Sequence, residues 1–77
     1  MRTLSENQKK VLKLLCEGKT PAEIGKLMGK SASSVSEAIR RGKGNIERAI
    51  QILQIALEDG LLDESQVKKI KNILSKI

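Results

Sequence analysis

Between residues 20 and 31 the chain carries a helix start, a helix stop and a second start, and this spacing constrains the fold more than any other feature. Thr20-Pro21-Ala22-Glu23 offers a hydroxyl for an N-cap, a proline at the first helical position and a carboxylate three residues after the cap. Gly29 can take the left-handed conformation that ends a helix, and Ser31 can cap the next one. The turn between is about three or four residues long, the length of a helix-turn-helix. No segment alternates with the period of a strand, so the expected class is all-α.

Upstream, Ser5 with Gln8 forms a capping box for a first helix over about residues 6 to 17. Its core face is Val11, Leu12, Leu14 and Leu15, and Glu17-Gly18 ends it. Cys16, the single cysteine, reads as a small buried apolar residue. The second helix, about 21 to 28, turns Ile24, Leu27 and Met28 inward, while Gly25 leaves room for a close crossing by the third. That third helix begins near Ala32. Steps of 100° put Ala32, Val35, Ala38, Ile39 and Gly42 on one arc and Ser33, Ser36, Glu37 and Arg40 on the other.

Gly42 and Gly44 each cost about 1 kcal/mol relative to alanine inside a helix, which predicts an end or bend after Arg41. Asn45 would then cap a fourth helix over about 46 to 59. Gly60 stops it, and Leu62, Asp63, Gln66 and Val67 supply a hydrophobic staple and capping box for a fifth. The inward residues of the fifth are Val67, Ile70, Ile73, Leu74 and Ile77. The expected architecture is thus five helices: a three-helix core over residues 1–44 and a C-terminal helical hairpin over 45–77, packed as one domain.

The fourth helix is apolar over too much of its surface for one neighbour. Ile46, Ala49, Ile50, Leu53, Ala56 and Leu57 form one side, and Ile52 and Ile55 widen the apolar arc to about 220°. A chain of 77 residues buries only about 60 to 65% of its unfolded surface, so it has little interior to spare. These two facts predict a homodimer whose interface includes Ile52, Ile55, Ala56, Ile73 and Ile77.

Charge is placed unevenly. Up to Arg48 there are eleven Lys/Arg against five Glu, and from Ala49 onward four lysines face four acidic residues. The whole excess of +6 sits on the half that carries the helix-turn-helix, which implies an anionic partner for that half, and with the motif itself the expected partner is double-stranded DNA. On the outer arc of the third helix, Arg40 can fork onto guanine and Glu37 can accept from cytosine, while Ser33 and Ser36 let the backbone approach the bases. Lys19, Thr20, Lys30, Ser34, Arg41 and Lys43 are suited to phosphates.

Other classes find less support. With no histidine and one cysteine there is no zinc set and no Cys/His nucleophile, and Glu58, Asp59, Asp63 and Glu64 sit near caps with no accompanying base. No enzyme activity, metal or cofactor is expected. Gly42-Lys43-Gly44 lacks the rest of a phosphate loop. The amphipathic end has lysines opposite aliphatics but no aromatic anchor for a membrane surface. Without a bilayer-length apolar run, and with Met1-Arg2-Thr3 unlike a signal peptide, a soluble cytoplasmic protein is expected. The remaining alternative is a helix-turn-helix-shaped module that docks on the transcription machinery without binding DNA.

The run Leu4-Ser5, Val11-Leu12, Leu14, Gly18, Glu23-Ile24-Gly25, Leu27, Gly29, Ser31, Ser34-Val35 resembles the LuxR-type DNA-binding domain. It is similar also to region four of sigma factors and to the archaeal Tfx-like regulators, over roughly residues 4 to 50. The resemblance implies a small prokaryotic transcriptional regulator. It also implies that the helix starting at Ala32 is the recognition helix, with Ser33, Ser36, Glu37 and Arg40 reading bases. Lys30 at a usually apolar turn position, Gly25 for the usual alanine and the Gly42-Lys43-Gly44 interruption depart from the pattern.

Overall fold

The computed structural model describes residues 3–77; Met1 and Arg2, part of the N-terminus read above for a signal peptide, lie outside the described residues. Four α-helices follow one another: α1 Glu6–Cys16, α2 Pro21–Met28, α3 Ala32–Glu58 and α4 Glu64–Ser75. Each begins at a capped N-terminus. Ser5 Oγ accepts from the Gln8 N–H while Gln8 Oε1 accepts from the Ser5 N–H, both at 3.1 Å. Thr20 with Glu23 and Asp63 with Gln66 repeat this reciprocal box for α2 and α4, and Ser31 Oγ accepts from the Ser34 N–H to start α3. A cap of this kind is worth about 1 kcal/mol. Gly29 and Gly60 end α2 and precede the α4 turn with φ of 67° and 64°, a backbone that a side chain would strain.

The first three helices meet in a small core. Val11, Ile24 and Val35, one from each helix, have no exposed surface, and Leu14, Leu15, Met28, Ala38 and Ile39 pack around them. Three side chains expected inside this core lie outside, Ala32 at the start of α3 among them, and Ile73, Leu74 and Ile77, expected inward on the last helix, are exposed as well. Leu27 is 63% exposed, because Ile24, Gly25 and Met28 define the inner face of α2 and Leu27 falls beyond its edge. Cys16 is exposed too, since it lies about 140° around α1 from Val11.

The largest departure from expectation is the absence of a break at Gly42-Lys43-Gly44. The expected third and fourth helices are one helix of 27 residues, so the described residues hold four helices and not five, and Asn45 lies inside α3 rather than capping a helix. Tertiary packing overrides propensity at Gly42: a Cβ there would sit 2.8 Å from Leu12 Cδ1, so the glycine lets α1 cross α3 closely. A Cβ on Gly44 would meet only the end of the Arg48 side chain, at 3.6 Å, an ordinary contact, so nothing in the packing requires a glycine there.

The expected C-terminal hairpin does not close either. No Cα of α4 comes within 8 Å of a Cα in α1, α2 or α3, and only Ala56, Leu62, Val67 and Ile70 are half-buried where the chain turns. Periodicity identifies an apolar face; it does not say which helix covers it. The outcome is an elongated molecule whose radius of gyration is 15.6 Å, against about 11.5 Å for a compact domain of this length.

Candidate nucleic-acid interface

The α2–α3 turn fixes how α3 is presented. A Cβ on Gly25 would lie 2.5 Å from the Lys30 carbonyl oxygen, and the Lys30 N–H donates to the Gly25 carbonyl at 2.8 Å. The close approach expected of Gly25 is therefore to the turn backbone. With α1 and α2 covering Val35, Ala38, Ile39 and Gly42, the opposite arc faces outward. Ser33, Ser36 and Arg40 are exposed and Glu37 is half-buried. Ser33 Oγ lies 3.3 Å from Ser31 Oγ, so the serine hydroxyls form a small group at the helix start.

Glu37 organises the charged part of this face. Its Oε1 accepts from Arg40 Nη2 at 2.6 Å and from Arg41 Nε at 2.7 Å, and its Oε2 accepts from Arg40 Nε at 3.1 Å. Hydrogen bonds from Arg40 and then Arg41 pull the Glu37 carboxyl down to about 2, and the same pairing raises Arg40. The carboxylate is thus a counter-charge for two guanidinium groups. Any guanine or phosphate must compete with it for Arg40. Arg40 and Arg41 also line an open polar hollow with Arg48, Thr3, Ser5 and Gln8, which joins the N-terminal end of α1 to the middle of α3.

The residues expected at phosphates are dispersed. Ser34 occupies the first turn of α3, and Thr20 caps α2, where the Glu23 carboxyl is held below its ordinary range chiefly by the Thr20 backbone N–H. Lys30 Nζ reaches back to α1 and donates to Asn7 Oδ1 at 2.7 Å. Among the described residues Lys19 and Lys43 make no side-chain hydrogen bond or ion pair. Arg48 was missed by sequence reading. Its signal, the Arg40/Arg41/Arg48 spacing along one helix face, exists only when the helix runs unbroken through Gly44.

A capped short helix, a tight glycine turn and an exposed hydroxyl- and arginine-bearing helix define a helix-turn-helix DNA-binding module. The chain belongs to the Sigma-70 region 4 family: residues 1–51 match the family described as "Sigma-70, region 4". Region four of sigma factors is one of the three resemblances drawn from the residues. The chain is also 40% identical over 52 residues to a Methanocaldococcus jannaschii protein titled "Putative transcriptional regulatory protein MJ0173". That similarity covers 68% of this chain and 38% of the relative, so the matched stretch spans well under half of that protein. No solved structure matches the chain. Among the described residues no helix is long and apolar enough to cross a membrane, and no group of three His, Cys, Asp or Glu could hold a metal ion.

Proposed function

We propose that this protein is a small transcriptional regulator that binds double-stranded DNA with a sequence preference, as a homodimer, laying the N-terminal half of α3 in the major groove. The observation that carries this reading is the exposed Ser33–Ser36–Arg40 face on a Sigma-70 region 4 helix-turn-helix, flanked by the basic excess of the same half. Arg40, released from Glu37, would fork onto guanine, and Glu37 would then accept from a neighbouring cytosine amine. Ser33 and Ser36 permit close approach. Arg41, Lys43 and Arg48, with Lys19, Thr20, Lys30 and Ser34, would contact phosphates and set the register.

A salt titration on random duplex DNA tests the electrostatic part. Six or more phosphate contacts should cost roughly a thousandfold in affinity between 50 and 200 mM salt. A flat dependence, or no binding at low salt, would favour a module that docks on the transcription machinery. Arg40→Ala should weaken a preferred sequence by about 1 to 3 kcal/mol and spare random DNA more, whereas Lys43→Ala should weaken both alike. Equal losses would mean that Arg40 touches only phosphate.

A further inference from the structure

We infer that two copies of this chain pair through the second half of α3, residues 46–58, together with α4, the four helices closing into one bundle. The inference deepens the dimeric reading above by naming its surface, and it stands or falls without DNA present.

Area is the first argument. The chain exposes 6172 Å², whereas a compact monomer of this mass exposes about 4,700 Å². The surplus is about 1,500 Å² per copy, or about 3,000 Å² for a pair, which lies in the range of obligate homodimers and above that of transient contacts. Apart from Leu27 on α2, the large aliphatics that are more than half exposed lie in one region. Ile50, Ile52, Ile55 and Leu57 on α3, and Ile73 and Leu74 on α4, are each more than half exposed, and they lie on the helices that leave the core. Single exposed aliphatics are ordinary, but two whole helix faces are not.

Shape and charge select the occupant. An apolar groove runs along α3 between Leu4 and the row Ile46, Ala49, Ile50 and Leu53, and almost nothing polar faces into it. Its own α4 leaves α3 open, as the Cα separations show. The twelve residues of α4 make a rod about 18 Å long, and the α3 stretch from Ile46 to Glu58 is about as long, so like elements from two copies match end to end. From Ala49 onward the formal charge is zero, four lysines against four acidic groups, so pairing brings no net repulsion. The charges there are of both signs, with three lysines on α4 and the acidic residues gathered at the α3–α4 turn, so a second copy can meet each sign with the other; a lipid surface would find no aromatic anchor, because the chain has none. Because α3 has apolar residues on more than one side, each α3 tail can contact two neighbours, as a helix in a four-helix bundle must.

The test is sedimentation of the native chain without DNA, paired with isotope-filtered NOE spectroscopy on a one-to-one mixture of labelled and unlabelled chain. The expected result is a dimer at tens of micromolar, with intermolecular NOEs between methyls of Ile46, Ile50 or Leu53 and those of Ile70, Ile73 or Leu74. A monomer at that concentration overturns the inference. So does a dimer whose intermolecular NOEs arise elsewhere. The Ile50→Glu, Leu57→Glu double variant should dissociate more readily by roughly a hundredfold or more, since each copy would bury two charges. Val11, Ile24 and Val35 are untouched in it, so retained helical signal from the core separates lost pairing from lost folding. A native dimer that ignores duplex DNA would sink the DNA-binding reading and leave this interface standing; a monomer that binds DNA would do the reverse.

Discussion

The two halves of α3 sit in opposite surroundings. From Ala32 to Gly42 the helix is packed by α1 and α2, with Val35 fully buried, Gly42 closed against Leu12 and polar side chains on the remaining arc. From Ile46 to Glu58, the more apolar half, the helix is left largely uncovered by the described residues, with Ile50, Ile52, Ile55 and Leu57 each more than half exposed. One backbone geometry thus serves two uses. Where neighbours from the same chain supply burial, three fully buried side chains suffice to fix the helix; where they do not, apolar content alone leaves an open surface. Helical periodicity looks the same in both cases, so only packing tells them apart.

The sharpest way to test this contrast is to truncate one side chain in each half. Ile24→Ala empties a site in the three-residue core and should destabilise the fold by about 2 to 5 kcal/mol, a loss independent of protein concentration. Leu57→Ala removes a side chain that is already 59% exposed, so at high dilution its effect should be small and should grow with concentration. Chemical denaturation at two concentrations reads both. If the two variants respond alike, the division of the molecule is wrong.

Glycines give a second comparison of intermediate size. Gly25→Ala would place a methyl against the Lys30 carbonyl and should cost about 1 to 3 kcal/mol, because backbone must move. Gly44→Ala meets only the end of the Arg48 side chain and should stabilise α3 by about 1 kcal/mol. Thermal unfolding that moves in the same direction for both would refute the distinction between a glycine needed for close approach and one that is free.

The smallest effect concerns protons. The Glu37 carboxyl is depressed to about 2, so its pairing with Arg40 and Arg41 is fully present above the ordinary carboxylate value of 4.5 and is lost as pH falls toward 2. The chain has no histidine. DNA affinity should therefore stay flat from pH 5.5 to 7.5, while Glu37→Gln should tighten binding to random duplex at low salt by freeing two arginines. Fluorescence anisotropy across that pH range checks it; a rise in native affinity toward pH 5.5 would show that the carboxylate is not held as described.

Much of the fold was legible because its signals are local. Ser5/Gln8, Thr20/Glu23, Ser31 and Asp63/Gln66 start the helices where the sequence places their caps, since a cap needs only residues within one turn. The break at Gly42–Gly44 was misread because the compensating contact, Leu12, is thirty positions away in sequence and becomes visible only once α1 crosses α3. Arg48 was lost with it, as its alignment with Arg40 and Arg41 depends on that continuity. The polar arc Ser33, Ser36, Glu37 and Arg40 could be read from 100° steps alone, but the fork from Glu37 to both arginines depends on rotamers that periodicity does not give.

The unbroken α3 also has a mechanical consequence. At 27 residues it is a stiff rod about 40 Å long with no joint between its core-packed half and its open half. In the pairing inferred above, a change of about 10° in the angle between the two rods would alter the separation of their far ends by roughly 5 Å, more than one 3.4 Å base step. A protein built this way has little slack to absorb a change in half-site separation. Its tolerance for misplaced sites would be set by how firmly the paired open halves hold their angle, so a substitution far from any base could retune which spacings are accepted.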